Sequence, residues 1–363
     1  MNINYDTNNN LQYRQKYLKY KQKYLELKQH GGLDYNDISQ LKINFLEYVE
    51  TNLAQNINVI NGFDDINKGI RICTYNIHYF TDIYEKKNTY EEILSDIKKI
   101  NADIIILEEA IIGGIIKINS DITIDCTDLY NKLNDLGYKK IIVCNNVPSW
   151  YNGVYCNLML INDRILTNVA KCTIEKANTC EKFNEYIYSF PKAKSSVVVS
   201  GAHQGTKETR CFIYANVNIK EYNIHIFGTH LDVGSEDERL FQISNIIEET
   251  KKYNNENDYI IIMGDFNTDD KNKQYMDPEK IQFIQNNRFI KDNGKVIKTL
   301  LDNNYFNIFS KTPNIEMTTW NNTIVDFIFI KNGINKPIPE NFNPKIYFTN
   351  ASDHLPLCVD INF

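Results

Sequence analysis

The segment Tyr259–Asn267 reads Tyr-Ile-Ile-Ile-Met-Gly-Asp-Phe-Asn, an apolar run that ends in two oxygen-bearing side chains. The apolar run predicts a buried strand, with Gly-Asp-x-Asn at its end. Asp265 and Asn267 are two positions apart, so in an extended chain their side chains point the same way. Such a pair suits a hard cation or a phosphate better than a hydrophobic core.

The composition is that of a soluble globular protein. The chain has 363 residues, 42% hydrophobic and 24% charged, enough for one large domain or two ordinary ones. Residues 1–32 carry six Lys/Arg and two acidic residues, a charge of +4. The whole chain has a net charge of −6, so residues 33–363 carry a net charge of −10. An acidic body is unusual for a non-specific nucleic-acid binder, although a bound metal offsets such charge locally in a nuclease.

The sequence predicts an intracellular protein, located in the host cytoplasm or the virion if it is viral. The N-terminus is polar and Asn-rich, unlike a secretory signal, and no run of 18 apolar residues predicts a transmembrane segment. The eight cysteines are scattered without a Cys-x-x-Cys pair, which argues against a zinc ribbon. Cys73 and Cys358 lie in apolar runs and are expected to be buried, and a reducing compartment is the simpler interpretation. Cys172 and Cys180 are close enough in sequence to form a disulfide, and this alternative stays open.

Three regions are expected: a leader over 1–32, an amphipathic helix and linker over 33–69, and a main domain over 70–363. Within the leader, residues 1–10 are expected to be disordered, and Leu11–Gln29 predicts a basic helix with a Tyr/Leu seam, ended by Gly31-Gly32. The leader is interpreted as a solvated or self-associating helix, or as a tag for an anionic surface or a protein partner. It resembles leaders of many giant DNA virus proteins, and cleavage at the Gly-Gly pair stays open.

A second helix is predicted to start with Asp37 as its N-terminal cap and to pack on the main domain or link the leader to it. Its predicted apolar face consists of Ile38, Leu41, Phe45, Val49 and Leu53.

From about Ile70 the pattern changes to strands with interspersed helices, which predicts an α/β sandwich of two sheets. The predicted strands are Arg71–Ile77, Asp103–Leu107, Lys140–Cys144, Tyr155–Ile161, Cys211–Ile219, Tyr222–Gly228, Tyr259–Met263, Val325–Ile330 and Leu355–Phe363. The predicted helices are Tyr90–Ile100, Asp128–Leu136 and Glu236–Tyr253.

Two segments, Asp163–Thr209 and Thr268–Leu301, are expected to be inserted or rich in loops. The first contains Lys192, Lys194 and Lys207, and is interpreted either as a mobile basic loop over a site or as a solvated connection.

Six places, mostly at strand ends, carry polar residues that a core does not tolerate unpaired. They are Asn76, Glu108-Glu109, Gly228-Thr229-His230, Asp265 with Asn267, Asp326, and Ser352-Asp353-His354. Each alone has an ordinary structural explanation, such as a turn, a cap or a satisfied buried histidine. All six explanations must hold at once if the chain has no site.

The order of these motifs resembles the endonuclease/exonuclease/phosphatase superfamily, which includes DNase I, exonuclease III, neutral sphingomyelinases and inositol-polyphosphate 5-phosphatases. The matching segments are Thr74–His78, Asp103–Glu109, Gly228–Leu231, Gly264–Asn267, Val325–Phe329 and Ser352–Pro356, together with Arg239 and Gln242. The resemblance spans about Ile70 to Phe363. It implies an α/β (α+β) fold, a four-layered α/β/β/α sandwich of the DNase I-like type with an N-terminal helical extension, and phosphoester hydrolysis with Mg²⁺ or Mn²⁺.

The resemblance also implies roles for single residues. The metal ligands that it implies are Glu109, Asp265, Asn267, Asp353 and Asn76. Its catalytic residues are His354, Asp326, His230 and Asp265, with His354 as general base or electrostatic stabiliser and Asp326 orienting its ring. Its phosphate-binding residues are Asn76, Asn267 and His230.

Departures from the family pattern tilt the chain away from abasic-site endonucleases. Glu108 replaces a usual Gln, His78 stands where some members have an acidic metal ligand, and the region of His230 differs from the Tyr-containing motif of those members. The Arg that often precedes the Asp of the penultimate motif is missing. Asn157 matches the family's Gly-Asn motif only loosely, so its role is doubtful.

The sequence thus predicts a metal-dependent phosphoesterase with nucleic acid as the favoured substrate. A sphingomyelinase-like or inositol-phosphate phosphatase-like hydrolase is the alternative enzyme. A non-catalytic virion or scaffold protein on the same fold is the alternative of another class.

Overall fold

The protein is described by a computed structural model over most of the main domain and the helix before it. The described residues are 35–63, 68–118, 121–147, 154–168, 187–189, 210–219, 222–233, 235–269, 294–311, 317–320, 323–334 and 342–362. The predicted leader helix, the Gly31-Gly32 pair, the basic-loop lysines and the Cys172–Cys180 pair lie outside these residues. The division into three regions stays a prediction.

The first sheet has six strands in the order β13-β14-β1-β2-β6-β5. Their bounds are β1 Gly69–Asn76, β2 Ile104–Ile112, β5 Lys140–Val147, β6 Val154–Ile161, β13 Phe342–Ile346 and β14 Leu357–Asn362. β1 and β2 run parallel, and the other neighbours are antiparallel. A separate hairpin pairs β3 Ile115–Lys117 with β4 Thr123–Asp125.

The second sheet also has six strands, in the order β11-β12-β10-β9-β8-β7. Their bounds are β7 Ile187–Ser189, β8 Cys211–Ile219, β9 Tyr222–His230, β10 Asp258–Asp265, β11 Phe306–Asn307 and β12 Asp326–Asn332. Here β9 and β10 are the parallel pair. In each sheet, therefore, two parallel strands end at the same edge and bring their terminal residues together.

Seven α-helices occur in the described part of the chain. They are α1 Tyr35–Asn52, α2 Ile57–Ile60, α3 Tyr90–Ile100, α4 Leu129–Asp135, α5 Asp163–Asn168, α6 Glu236–Thr250 and α7 Lys295–Asp302. None of the helices in this part is long and apolar enough to cross a membrane.

The two sheets face each other across a hydrophobic core, and helices cover their outer faces. The inner core joins side chains of both sheets, such as Ile72 and Ile106 from one and Ile261 and Met263 from the other. The outer face of the first sheet packs with α3 and α4, and that of the second packs with α6 and α7. The predicted four-layered α/β/β/α sandwich is confirmed.

Some elements differ from the prediction. α7 begins at Lys295, inside the segment predicted to be loop-rich, because Val296, Ile297 and Leu300 are spaced for one buried helical face. Asp163–Thr209 likewise contains α5 and the short strand β7. The strand predicted from Leu355 begins at Leu357.

α1 begins at Tyr35, so Asp37 lies in its first turn rather than at the cap. The predicted apolar face is largely correct, since Leu41, Phe45 and Val49 are buried. Leu53 is 46% exposed, because the helix changes to a 3₁₀ turn at that residue.

A disulfide joins Cys144 on β5 to Cys211 on β8, with their Cα atoms 6.7 Å apart, and so links the two sheets. This pair was not predicted, because 67 positions separate the two cysteines and no motif links them. Cys73 and Cys358 are buried as predicted, and their Sγ atoms lie 3.1 Å apart across β1 and β14. A disulfide is atypical of a reducing compartment, and the compartment stays an expectation.

Candidate active site

Strand register places the key residues of the second sheet in one row. Asp265, the last residue of β10, is the Cα partner of Asp326 on β12 and of His230 on β9. In the first sheet, Asn76 at the end of β1 is the partner of Glu108 on β2. The ends of these strands face one another across the inner core.

The hydrogen bonds of Asp265 connect the two rows. Asn76 Nδ2 donates to Asp265 Oδ2 at 3.0 Å and lies 3.4 Å from Glu109 Oε1. His230 Nε2 is 3.5 Å and His354 Nε2 is 3.9 Å from Asp265 Oδ2. Asp265 is therefore the centre of the site, within 4 Å of groups from three other sequence motifs.

A β-bulge directs Glu109 into this site. The register of β2 with β6 shifts between Leu107 and Ala110, and Glu109 has a φ of 57°. A bulge re-aims a side chain, and a positive φ in a residue with a Cβ marks backbone held under strain by its surroundings. Glu109 Oε1 lies 4.0 Å from His230 Nε2.

Gly264 is required by the approach of β9. Its φ is +145°, and a Cβ at this position would lie 1.7 Å from the carbonyl oxygen of Thr229. The glycine of the Gly-Asp-x-Asn motif therefore allows the two parallel strands to bring Asp265 beside His230.

Replacing Gly264 with alanine is expected to lower the free energy of unfolding by roughly 3 kcal/mol or more, from the clash and the positive φ together. Gly113→Ala is the matched control, because Gly113 has a φ of +72° but open space around it. That variant should lose roughly 1 kcal/mol from backbone strain alone. Chemical denaturation measures both, and equal losses would contradict the steric explanation.

His354 and Asp326 form a close pair. Both carboxylate oxygens of Asp326 lie near His354 Nδ1, at 3.1 and 3.0 Å, so that this nitrogen carries a proton. Burial opposes the charge on His354, but Asp326 and Asp353 outweigh it and raise the pKa of the imidazole well above its ordinary value. His354 is therefore a cation at neutral pH, with Nε2 directed toward Asp265.

His230 differs in its charge state. Burial, reinforced by the nearby cations Arg210 and His354, lowers its pKa well below the ordinary value, so His230 is neutral. It supplies a dipole and a hydrogen-bonding nitrogen rather than a positive charge.

The loop Ser352–His354 is held against β1. Ser352 Oγ donates to the carbonyl oxygen of Asn76 at 2.8 Å and accepts from the backbone N–H of His354 at 3.3 Å. Asp353 Oδ1 lies 3.7 Å from His78 Nδ1 and 3.9 Å from His354 Nε2. Burial opposes ionisation of Asp353, but His78 and His354 outweigh it and lower its pKa.

The remaining site carboxyls are destabilised as anions. Burial, and then Asp353, raises the pKa of Glu109 to about 7. Burial raises the pKa of Asp265 to about 6. The nearby His354 cation lowers both pKa values, but burial outweighs it.

The carboxylate and amide oxygens of the site fit a divalent cation. Asp265, Asp326 and His354 each offer one ligand atom, and these atoms lie within 4.8 Å of one another. This group shares only Asp265 with the metal set predicted from the sequence, so the assignment of ligands stays a prediction.

Asn267 is brought to the site, but part of its side chain is used structurally. Its Nδ2 donates to the carbonyl oxygen of Leu231 at 3.0 Å, and its backbone N–H donates to Asp265 Oδ1 at 2.8 Å. Its φ of 49° turns the chain sharply after the strand. Asn267 thereby fixes Asp265, and its predicted metal and phosphate contacts stay predictions.

The Arg-x-x-Gln pair on α6 supports the turn after His230. Gln242 Oε1 accepts from the backbone N–H of Asp232 at 2.8 Å, and Arg239 Nη1 donates to the Asp232 carbonyl at 2.9 Å. These residues hold the turn at the end of β9.

Several residues of the site were missed or doubted from sequence. Arg210 is buried and close enough to Glu109 and His230 to affect the pKa of both. Its only sequence signal is its place just before an apolar strand. Asn157 is buried opposite the bulge of β2, and its amide has no hydrogen-bond partner among the described residues. Glu108 accepts from Thr74 Oγ1 at 2.6 Å, and burial raises its pKa well above the ordinary value, which favours the neutral form.

Comparison with known proteins gives matches in structure only. No family model matches the sequence, and no curated protein matches it significantly. An endonuclease/exonuclease/phosphatase family protein from Leptotrichia buccalis is 17% identical, with 81% of this chain and 100% of that one covered and a TM-score of 0.51. An endonuclease/exonuclease/phosphatase from Beutenbergia cavernae is 13% identical, with 82% and 72% covered and a TM-score of 0.49. The human Nocturnin catalytic domain with bound sulfate is 18% identical, with 81% and 93% covered and a TM-score of 0.48.

The Leptotrichia protein has a TM-score above 0.5, and at 17% identity its similarity to this chain shows the fold. The similarity extends over 81% of this chain and so includes most of the two facing six-stranded sheets. The resemblance predicted from the motifs is confirmed at that level: the chain has the fold of the endonuclease/exonuclease/phosphatase superfamily, of the DNase I-like type.

Proposed function

We propose that this protein is a divalent-metal-dependent phosphoesterase that hydrolyses a phosphodiester in nucleic acid. The observation that carries the proposal is the convergence of Asn76, Glu109, His230, Asp326 and His354 around the Asp265 carboxylate. Buried ionisable groups whose pKa values are shifted in opposite directions, gathered in one place, are typical of a catalytic centre rather than of a structural core.

The charge states suggest how the residues divide the reaction. Water attacks phosphorus, and its proton passes to the Asp265 carboxylate, which acts as the base. The P–O ester bond breaks, and the leaving oxygen takes a proton from His354 Nε2. Asp326 holds the His354 ring and stabilises its positive charge. Neutral His230 and the Asn76 amide bind phosphoryl oxygens.

Mg²⁺ or Mn²⁺ would be held by carboxylates of the site, with Glu109, Asp265 and Asp353 as the proposed ligands and Asn76 and Asn267 completing the set. Bound there, the ion stabilises negative charge on the phosphoryl and leaving oxygens.

Metal binding is expected to weaken as the pH falls, because Glu109 and Asp265 must lose their protons to bind. With pKa values of about 7 and about 6, their ionised fractions make Mn²⁺ affinity about twentyfold weaker at pH 6 than at pH 8. Calorimetry at both pH values, in buffers of different ionisation enthalpy, measures the affinity and the released protons. Glu109→Gln should flatten this dependence, and an affinity equal at both pH values in the wild type would contradict it.

The ligand set is tested by the same titration. If Glu109 is a ligand and Asp326 is not, Glu109→Gln should weaken Mn²⁺ binding more than Asp326→Asn does. The reverse order would place the ion in the group of Asp265, Asp326 and His354 instead.

Nucleic acid is favoured over lipid by the residues beside the site. The described rim carries Lys42, Lys86 and the rings of Tyr84 and Trp320. Cations combined with aromatic faces suit a nucleotide chain. The experiment is a Mg²⁺-dependent cleavage panel of single- and double-stranded DNA, RNA, sphingomyelin and phosphoinositides.

A further inference from the structure

The helix α1 precedes the catalytic sandwich in the chain and packs beside the loop that holds Asp353 and His354. Phe45 and Val49 on α1 are buried in one cluster with Leu355, the residue after His354. α1 therefore lies where it can contribute a side chain to the edge of the site.

That side chain is Lys42. Its ammonium group lies 4.9 Å from the ring centroid of Tyr84 and 5.2 Å from that of Trp320, and it donates to the carbonyl oxygen of Ile83 at 2.9 Å. Two aromatic rings and a carbonyl thus fix the position of the positive charge.

Trp320 connects this group to the catalytic loop. Its backbone N–H donates to the carbonyl oxygen of Asp353 at 3.1 Å, and the preceding Thr319 is bridged to His354. Burial lowers the pKa of Lys42, and Asp353 is the first of the charges that oppose this effect. Asp82 also raises the pKa of Lys42, as Asp353 does. Lys86, with its ammonium 5.8 Å from the centroid of the Tyr84 ring, lowers it.

The chemistry of this rim matches a nucleotide rather than a simple phosphate. A lysine pairs with a phosphate as a point charge, and aromatic faces stack on bases without sequence preference. Tyr84 and Trp320 are both only partly buried. The acidic body of the chain makes a fixed cation at the site edge the more significant for an anionic substrate.

We propose that Lys42, Tyr84 and Trp320 form a subsite for the nucleotide next to the scissile phosphate, with Lys42 on its phosphate and the rings against its base. This inference rests on the proposed function, since it specifies the substrate class of the same site. It makes α1 part of substrate recognition.

The kinetic test compares a small diester, bis(4-nitrophenyl) phosphate, with a six-nucleotide single-stranded DNA in the full-length protein. Lys42→Met should lower kcat/KM for the oligonucleotide roughly tenfold more than for the small ester, and Lys42→Arg should recover most of that difference. Lys98→Met, an exposed lysine on α3, is the control and should change neither value. Equal losses on both substrates, or a selective loss on sphingomyelin vesicles instead of DNA, would overturn the subsite.

A binding test does not depend on turnover. The chain has two tryptophans, so Trp150→Phe leaves Trp320 as the single fluorophore. In that background with Asp265→Asn, the oligonucleotide should quench Trp320 fluorescence, and Lys42→Met should weaken the apparent affinity. Absence of quenching overturns the subsite, whereas a wild type that binds DNA but cleaves no phosphoester overturns the proposed function alone.

Discussion

Asp265→Asn is expected to lower kcat at least about a thousandfold, because it removes a base and a metal ligand from the centre of the site. The asparagine retains the shape of the side chain and one oxygen, which can still accept the 2.8 Å hydrogen bond from the Asn267 backbone. The rest of the site should therefore keep its geometry. Steady-state hydrolysis with saturating Mg²⁺ measures the loss.

Asp265→Asn should raise the stability of the protein although it lowers the activity. The folded-state pKa of Asp265, about 6, lies above its unfolded value of 3.8, so the folded protein binds the proton more tightly and loses stability as the pH rises between these values. At pH 8 the buried anion is a cost that Asp265→Asn removes, which is expected to raise the free energy of unfolding by about 3 kcal/mol.

Asp96→Asn is the matched control for this variant. Burial also raises the pKa of Asp96 to about 6, but Asp96 lies on α3, where it accepts from Thr349 Oγ1 at 2.6 Å. It should gain stability without losing activity. If Asp265→Asn keeps wild-type turnover, Asp265 is not the catalytic centre.

His354→Ala is expected to lower kcat by about 10³- to 10⁴-fold, because it removes the cation and proton donor beside Asp265. Asp326→Asn should cause a smaller loss of about 10²-fold, since the ring remains but loses the partner that holds its proton. The double variant should be no worse than His354→Ala, because the two residues act as one unit.

The pH dependence separates orientation from simple structure. Asp326 raises the pKa of His354, so in the wild type the imidazolium persists above its ordinary range, and activity should decline only at high pH. In Asp326→Asn that decline should move to lower pH. NMR titration of the His354 ring gives the same shift without turnover. His225→Gln, at a buried histidine 3.6 Å from Asp258 and away from the motifs, should leave the profile unchanged. An unmoved profile in Asp326→Asn would refute the pairing.

The fold was predictable because most of its strands are long apolar runs with polar ends. Helix Tyr90–Ile100 was predicted at its observed bounds, since its apolar residues recur at helical spacing between a Thr and an Asn. The short edge strands β7, β11 and β13 were missed, because two to five residues give no periodic pattern. The cross-sheet disulfide was missed for a different reason: sequence carries no information on which distant cysteines face each other.

The site was predictable as a set, and its internal geometry was not. The motif order gave Asp265, His230 and Asp326, and strand register explains why these fall in one row. Sequence offered no means of finding that the β2 bulge turns Glu109 inward, because a bulge depends on pairing with β6. Charge states were also inaccessible, since His230 and His354 differ in burial and in neighbours rather than in type.

The contribution of α1 lay beyond any motif. Its amphipathic spacing predicted only that one face would pack on a neighbour. That Lys42 lies between Tyr84 and Trp320 follows from tertiary packing against the Asp353–His354 loop.

The most direct test of the central claim is the metal-dependent substrate panel with the folded wild-type protein and Asp265→Asn side by side. We predict hydrolysis of nucleic-acid phosphodiesters in Mg²⁺ or Mn²⁺, lost with chelator and lost in Asp265→Asn. Turnover of no phosphoester by a folded protein would contradict a catalytic site at Asp265, and turnover of sphingomyelin or phosphoinositide alone would contradict nucleic acid as its substrate.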